Sequence, residues 1–331
     1  MILAKENEEM TTAEIKEMAT KYIMNTYGDR QLALVRGEGP YVWDAEGNKY
    51  LDFLSGIAVN GLGHCHPKVV EAIRNQAGKL MHVSNLYYIE PQAKLAKLMI
   101  DNSDLDQCFF CNSGAEANEA AIKIARKYAV DKGRSSAYEI ITMHDSFHGR
   151  TMATITATAQ TKYHKGFEPM LPGFSYVPFD DLDTVAKAIT SQTCAILVEP
   201  IQSEGGVNVP GEGYLEGLRE MCDQHDLLLI FDEMQTSPGR LGAFFGYQTY
   251  GVIPDVLTMA KFLGGGTPIG AMLAKKEVAE SFVPGTHAAT FGGNPLVTAA
   301  ALATLETIVE EDLFKNVISV GNYLEEKFTR L

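Results

Sequence analysis

The stretch from Leu227 to Gly270 opens with LLLIFDEMQTSPGR (227–240) and closes with PDVLTMAKFLGGGTPIG (254–270). Two short apolar runs within it, Leu227–Phe231 and Val256–Met259, have the length and unbroken hydrophobicity of strands buried on both faces of a parallel sheet. A charged residue follows each: Asp232 after the first, Lys261 after the second. In open α/β sheets, ligands lie beyond the carboxyl ends of the strands. A carboxylate and a lysine brought to one sheet edge are therefore what the rest of the chain has to account for.

Working outward, the pattern repeats. QCFFC (107–111) reads as a strand, and Ala117, Ala120, Ala121, Ile124 and Tyr128 recur at helical spacing after the turn Asn112-Ser113-Gly114. Ser113 suits a helix cap, and the first turn behind it offers unpaired amides to an anion such as phosphate. Glu139–Met143 is a strand leading into a loop that carries His144, Asp145, Phe147, His148 and Arg150. The planar fork of Arg150 suits a substrate carboxylate, with a surface ion pair as the alternative. CAILVEP (194–200) ends a further strand, followed by a loop with Gln202 and Glu204 and a helix over Tyr214–His225. Beyond the lysine strand come a glycine-rich loop, a helix beginning near Asn294-Pro295, and an amphipathic helix over Asp312–Leu331. At the other end, a polar helix of roughly Thr12–Met24 precedes short strands broken by Gly39-Pro40 and Glu46-Gly47.

Composition narrows the classes. The 331 residues carry a net charge of −14, from 42 acidic against 28 basic side chains. That balance argues against nucleic acid or an acidic membrane as partner. The five cysteines imply no disulfide framework, and Cys108 and Cys111 read as buried structural residues. Met1–Thr20 is charged and has no leader-like apolar core, and no apolar run reaches bilayer length, so a cytoplasmic protein is expected. His64 and His66 lack a third ligand, Pro67 suits the first turn of a helix, and no metal is expected.

Two nucleotide readings fail as well. A strand ending in Asp-Glu would need a GxxxxGK[ST] loop, which the chain does not contain, and Gly61-x-Gly63 lacks the third glycine of a dinucleotide fingerprint. Asp145, Ser146 and His148 are too close in sequence to read as a hydrolytic triad. Pyridoxal phosphate fits what remains. Its aldehyde requires a lysine, its pyridine nitrogen a carboxylate, and its phosphate a set of backbone donors. The lysine, once freed from the Schiff base, can then carry the proton taken from the substrate.

At these residues the chain resembles the class III pyridoxal-phosphate aminotransferases, most closely those acting on N-acetylornithine. The resemblance runs from about Tyr27 to the last residue, through LALVRGEGPYVWDAEGNKYLDFLSGIAVNGLGHCHP, HVSNLYYIEPQ, NSGAEANEAAIKIAR, FHGRT, VEPIQ, FDEMQT and TFGGNPL. It implies a fold-type-I α/β transferase, with an arm over 1–58, a cofactor-binding domain over 59–310, and a small second domain begun at 311–331 and C-terminally truncated. By the resemblance Lys261 is the Schiff-base lysine and Asp232 the partner of the ring nitrogen. Glu233, Met234 and Gln235 surround the cofactor, with Gln235 on the ring hydroxyl. Phe147 stacks on the ring, and Gly114 and Ala115 hold the phosphate. Thr290 reaches the phosphate of a neighbouring subunit, which implies a homodimer. Arg150 binds the α-carboxylate, Glu204 pairs with a second arginine, and Ala289 stands where family members have a substrate-touching serine.

The chain departs from the family pattern in other places too. The family's QGE reads Gln202-Ser203-Glu204, the glycine after DExQT is Ser237, and Phe262 replaces a small residue after the lysine. No candidate for the second arginine follows, since Arg330 is the penultimate residue. The implied reaction is ping-pong transfer of the δ-amino group of N-acetylornithine to 2-oxoglutarate. Ornithine, succinylornithine or 4-aminobutyrate as donor, and a cofactor-binding protein without turnover, stand as alternatives.

Overall fold

The computed structural model describes residues 9–331; the stretch read for a leader and the start of the arm fall partly on residues 1–8, outside the described residues. The arm opens with a helix over Thr12–Tyr22, capped by Thr11, whose side chain accepts from the Glu14 amide while the Glu14 carboxylate accepts from the Thr11 amide. Three short strands follow, β1 (Leu34–Glu38), β2 (Tyr41–Asp44) and β3 (Lys49–Leu51), paired in order as an antiparallel sheet. Buried Asp44 fixes the β2–β3 hairpin by accepting from the Asn48 amide at 2.8 Å and the Tyr50 hydroxyl at 2.7 Å.

The main sheet comprises β4 (Gln107–Cys111), β5 (Glu139–Met143), β6 (Phe174–Val177), β7 (Thr193–Val198), β8 (Leu228–Asp232), β9 (Val256–Met259) and β10 (Gly270–Ala274). Among the described residues its order is β4-β10-β9-β8-β7-β5-β6. All neighbours run parallel except at β10, which is antiparallel to both β9 and β4. The reversal at β10 was not legible in the sequence, where a buried strand reads the same in either direction.

Side chains alternate across the central strand. Leu229 and Phe231 of β8 join one core with Leu95, Met99, Leu218 and Leu305, while Leu228 and Ile230 join a second core on the opposite face with Ala120, Ala121 and Ile124. The Gly114–Asp131 helix covers that second face, and its alanines let it lie close to the sheet. Helices Glu90–Asp101, Tyr214–His225 and Pro295–Glu310 cover the first. Each fully buried Leu or Ile contributes roughly 1.5–3 kcal/mol, so a one-residue slip of β8 would forfeit several such terms and turn Asp232 away from the edge.

The far end of the same strands is pinned by charge. Asp255, just before β9, accepts from the Leu229 amide, Arg219 and Lys275, each at 2.8 Å. Register is thus held at the amino ends of β8 and β9, which fixes what their carboxyl ends present.

Candidate active site

Asp232 is the last residue of β8, buried to 2 % exposure, and pairs in register with Thr258 of β9. A buried carboxylate requires partners, and this one has three. The Asn118 side-chain amide donates to Oδ2 at 2.7 Å and His148 Nδ1 contacts the same oxygen at 2.8 Å. The Met234 amide donates to Oδ1 at 3.1 Å. Burial disfavours the charged imidazole of His148, but the Asp232 carboxylate, with Glu199 adding, outweighs it and raises the histidine above its ordinary value. His148 therefore serves Asp232 as a donor, and not as part of the triad its neighbours could have suggested.

Lys261 leaves β9 after Ala260 and opens a 3₁₀ turn over Lys261–Gly264. Its φ is +43°, a left-handed value that costs an L residue of the order of 1–3 kcal/mol. Burial lowers its pKa, opposed by the Asp232, Glu204 and Glu199 carboxylates, with Arg240 acting in the same direction as burial. The amine is thereby biased toward the neutral form a nucleophile needs.

These groups border one cavity of about 470 Å³, within the range of cofactor sites. Lys261, Gly114, Ala115, Phe147, His148, Arg150, Glu204, Met234 and Gln235 line it, and Asp232 lies beneath through its bonds to His148 and Met234. At the phosphate end, Ser113 Oγ accepts from the Glu116 amide at 3.2 Å and caps the Gly114–Asp131 helix. The Gly114 and Ala115 amides belong to the first turn and have no intrahelical acceptor. A Cβ on Gly114 would stand 2.6 Å from Met234 Sδ, so any larger residue there would have to displace that side chain.

Phe147 is held by its backbone amide, which donates to Glu199 Oε2 at 3.0 Å. Glu199 is itself buried, and burial, with Asp232 adding, pushes its pKa up to about 7 against the opposing His148. Arg150 lies with its guanidinium carbon 3.9 Å from the Tyr163 ring centre and 5.5 Å from that of Phe147. It has no acidic partner among the described residues. Stacked and without an acidic partner, it lines the same cavity as Lys261.

Three expected site residues sit elsewhere. Glu233 follows Asp232 and points the opposite way, as successive residues at a strand end do. It is fully buried, accepts from the Gly246 amide at 2.6 Å, the Tyr247 amide at 2.7 Å and the Ser237 hydroxyl, and does not line the cavity. Its side chain ties down the loop behind the site, away from the cavity where a cofactor contact was expected. Thr290 and Ala289 border a different cavity of about 410 Å³, beside Glu116, Glu119 and His287. His64 pairs with Asp52 at 2.6 Å.

Pyridoxal phosphate fits the donor set present: a half-buried lysine and the Gln235 amide, neither hydrogen-bonded to another protein group among the described residues, free helix-end amides, and a carboxylate anchored from behind. Asn118 was missed in the sequence. Its signal was a lone amide on the alanine-rich face of a helix otherwise packed on the sheet.

Comparison with known proteins agrees in both sequence and fold. Residues 22–331 match the aminotransferase class-III family. The acetylornithine aminotransferase of Caldanaerobacter subterraneus subsp. tengcongensis is 53% identical over 306 residues, covering 92% of this chain and 78% of that protein. That of Methanocaldococcus jannaschii is 52% identical, covering 95% and 79%. The crystal structure of acetylornithine aminotransferase from Elizabethkingia anophelis superposes with a TM-score of 0.85 at 34% identity, covering 97% of this chain and 79% of that one. An ornithine aminotransferase from Toxoplasma gondii, with pyridoxal phosphate at partial occupancy in its active site, gives 0.92 at 33% identity, covering 97% and 76%. The chain belongs to the class-III aminotransferases, the pyridoxal-phosphate-dependent transaminases whose signature its sequence carries.

Proposed function

We propose that this chain transfers the δ-amino group of N-acetylornithine to 2-oxoglutarate in two half-reactions. The observation carrying this reading is the 53% identity to an acetylornithine aminotransferase over nine-tenths of the chain. The cavity that joins Lys261, Asp232 and Arg150 supports it.

Bound pyridoxal phosphate supplies an aldehyde for the amino group and a ring that accepts electrons from the substrate carbon. The protein residues do the rest. The Gly114 and Ala115 amides hold the phosphate, and the positive end of their helix favours its charge. Phe147 and Gln235, which line the cavity, would hold the cofactor's ring, Phe147 by stacking and the Gln235 amide at the ring hydroxyl. Asp232, held by Asn118 and His148, keeps the proton on the ring nitrogen. Lys261, biased toward its neutral form, would take the proton from the donor carbon and deliver it to the carbon that carried the cofactor's aldehyde. Arg150 grips the α-carboxylate with a fork that a lysine could not supply.

The substrate side extends to Glu204 at the mouth of the cavity. Ala289 and Thr290 serve the site of a second copy, in a homodimer with shared sites; their position in a separate cavity of their own chain supports that arrangement. On the same reading, residues 1–58 form an arm, 59–310 the cofactor-binding domain, and 311–331 belong to a small second domain. The setting is cytoplasmic, with small molecules as the other partners; no helix among the described residues is long and apolar enough to cross a membrane.

A direct assay tests the reaction. Protein supplied with pyridoxal phosphate should form glutamate from N-acetylornithine and 2-oxoglutarate, and omission of either substrate should abolish it. No glutamate with any ω-amine donor would leave a cofactor-binding protein without turnover. For the shared site, Thr290→Val should speed the loss of cofactor on dialysis, and unchanged retention would count against that role.

A further inference from the structure

Asn118 is fully buried, and its side chain bonds to three groups of the site's frame: Asp232, the His148 carbonyl and Thr258. It lies on the helix whose first turn offers the Gly114 and Ala115 amides, one helical turn further on. Its amide nitrogen donates to Asp232 Oδ2 at 2.7 Å and to the His148 carbonyl at 2.9 Å. Its carbonyl oxygen accepts from the Thr258 hydroxyl at 2.7 Å. Thr258, also fully buried, stands on β9 opposite Asp232 and just ahead of Lys261. Both amide protons and the acceptor are thus used, so the side chain has one orientation.

We infer that Asn118, with Thr258 behind it, is a positioning residue that fixes Asp232, the Lys261 strand and the phosphate-end helix in one frame. The inference rests on the cofactor reading above and goes beyond it by naming what aims the carboxylate. Two features favour a role beyond packing. Packing alone asks only for an apolar side chain on this alanine-lined face, so a buried amide there has to be accounted for by its hydrogen bonds. Moreover, the His148 carbonyl and the Asp232 carboxylate can only accept, so the amide nitrogen must face them and its oxygen is left to the Thr258 hydroxyl. Without that donor, Asp232 keeps only His148 on Oδ2 and the Met234 amide on Oδ1, which loosens its aim at the ring nitrogen.

The test uses full-length protein, with ring-nitrogen-labelled pyridoxal phosphate as the probe. Nitrogen NMR reports whether the ring nitrogen is protonated, equilibrium dialysis gives cofactor affinity, and thermal unfolding of the cofactor-free protein monitors packing. In the unaltered protein the ring nitrogen should stay protonated from about pH 6 to about pH 9. Asn118→Leu should weaken cofactor binding roughly tenfold or more and lose the ring proton within that range. Thr258→Val, which leaves Asp232 untouched, should weaken binding a few-fold and move the ring-nitrogen signal the same way by less. A folded Asn118→Leu protein with an unmoved ring-nitrogen titration overturns the inference, whatever its melting temperature. Should that variant fail to fold, an unmoved titration in Thr258→Val overturns it instead. Unaltered protein that takes up no cofactor would overturn the cofactor reading itself, and this inference with it.

Discussion

Asp232 and Thr258 stand opposite one another on adjacent parallel strands, and the chain beyond Thr258 runs directly into Lys261. The carboxylate and the amine thus leave neighbouring strands at the same edge, and Asn118 ties the two strands together.

Asp232→Asn should leave the fold and the cavity in place while removing the charge opposite the ring nitrogen. The turnover rate is expected to fall by roughly a hundredfold to a thousandfold, a magnitude typical of losing an electrostatic stabiliser in a closed site. Steady-state kinetics on protein saturated with cofactor would check it; a loss of less than about threefold would remove Asp232 from its proposed role.

Glu233 gives a pH dependence to folding. Burial pushes its pKa up to about 7 from 4.5, against hydrogen bonds from Ser237, Gly246 and Tyr247, and with Asp232 adding to the rise. The folded state therefore holds this proton more tightly than the unfolded chain does. Stability from Glu233 is complete below the unfolded value and is lost as pH rises through about 7. Glu233→Gln lacks this loss, so its stability deficit relative to the parent should narrow by the order of 1–3 kcal/mol between about pH 5 and about pH 8. Denaturant unfolding at the two pH values measures this, and a constant gap would place the titration elsewhere.

These residues also show what the sequence could reveal. Asp232 and Lys261 were legible because a charge is costly to bury, so one placed directly after an apolar run marks the end of a strand and a site beyond it. The strands themselves were legible from the unbroken apolar runs ahead of those charges. The phosphate-end turn was legible from Ser113-Gly114 ahead of a helical repeat. Glu233 was not, because at a strand end the side that a residue faces depends on alternation along the strand. Asn118 was hidden because an amide in a helix reads as solvent-facing until the sheet beneath it is known. Thr290 matches the family pattern in sequence and Ala289 stands at its serine position, yet their own chain places both outside the Lys261 cavity.

Phe262, the bulky residue after the lysine, has its counterpart in Gly61. A Cβ on Gly61 would stand 2.5 Å from Phe262 ring atoms. Gly61→Ala should therefore push Phe262, and the Lys261 turn with it, at a cost of about 1–3 kcal/mol. Combining it with Phe262→Ala should recover much of that cost. A double-mutant cycle in unfolding free energy is the measurement, and strictly additive effects would rule out the coupling.

Arg150 stacks 3.9 Å from the Tyr163 ring centre, so its proposed grip on a carboxylate would depend on shape as well as charge. Arg150→Lys keeps the charge and loses both the fork and the stack. The KM for the amino donor should rise roughly tenfold with kcat changed far less, the signature of lost ground-state binding. A fall in kcat at constant KM would instead place Arg150 in the chemical step.

The most direct test of the central claim is single-turnover spectroscopy on protein loaded with pyridoxal phosphate. N-acetylornithine, ornithine, succinylornithine and 4-aminobutyrate are each supplied as sole donor, with Lys261→Ala as control. The visible absorbance should bleach fastest with N-acetylornithine, return on addition of 2-oxoglutarate with release of glutamate, and stay unchanged in Lys261→Ala. Absorbance that no donor alters, or faster bleaching by 4-aminobutyrate than by N-acetylornithine, would contradict it.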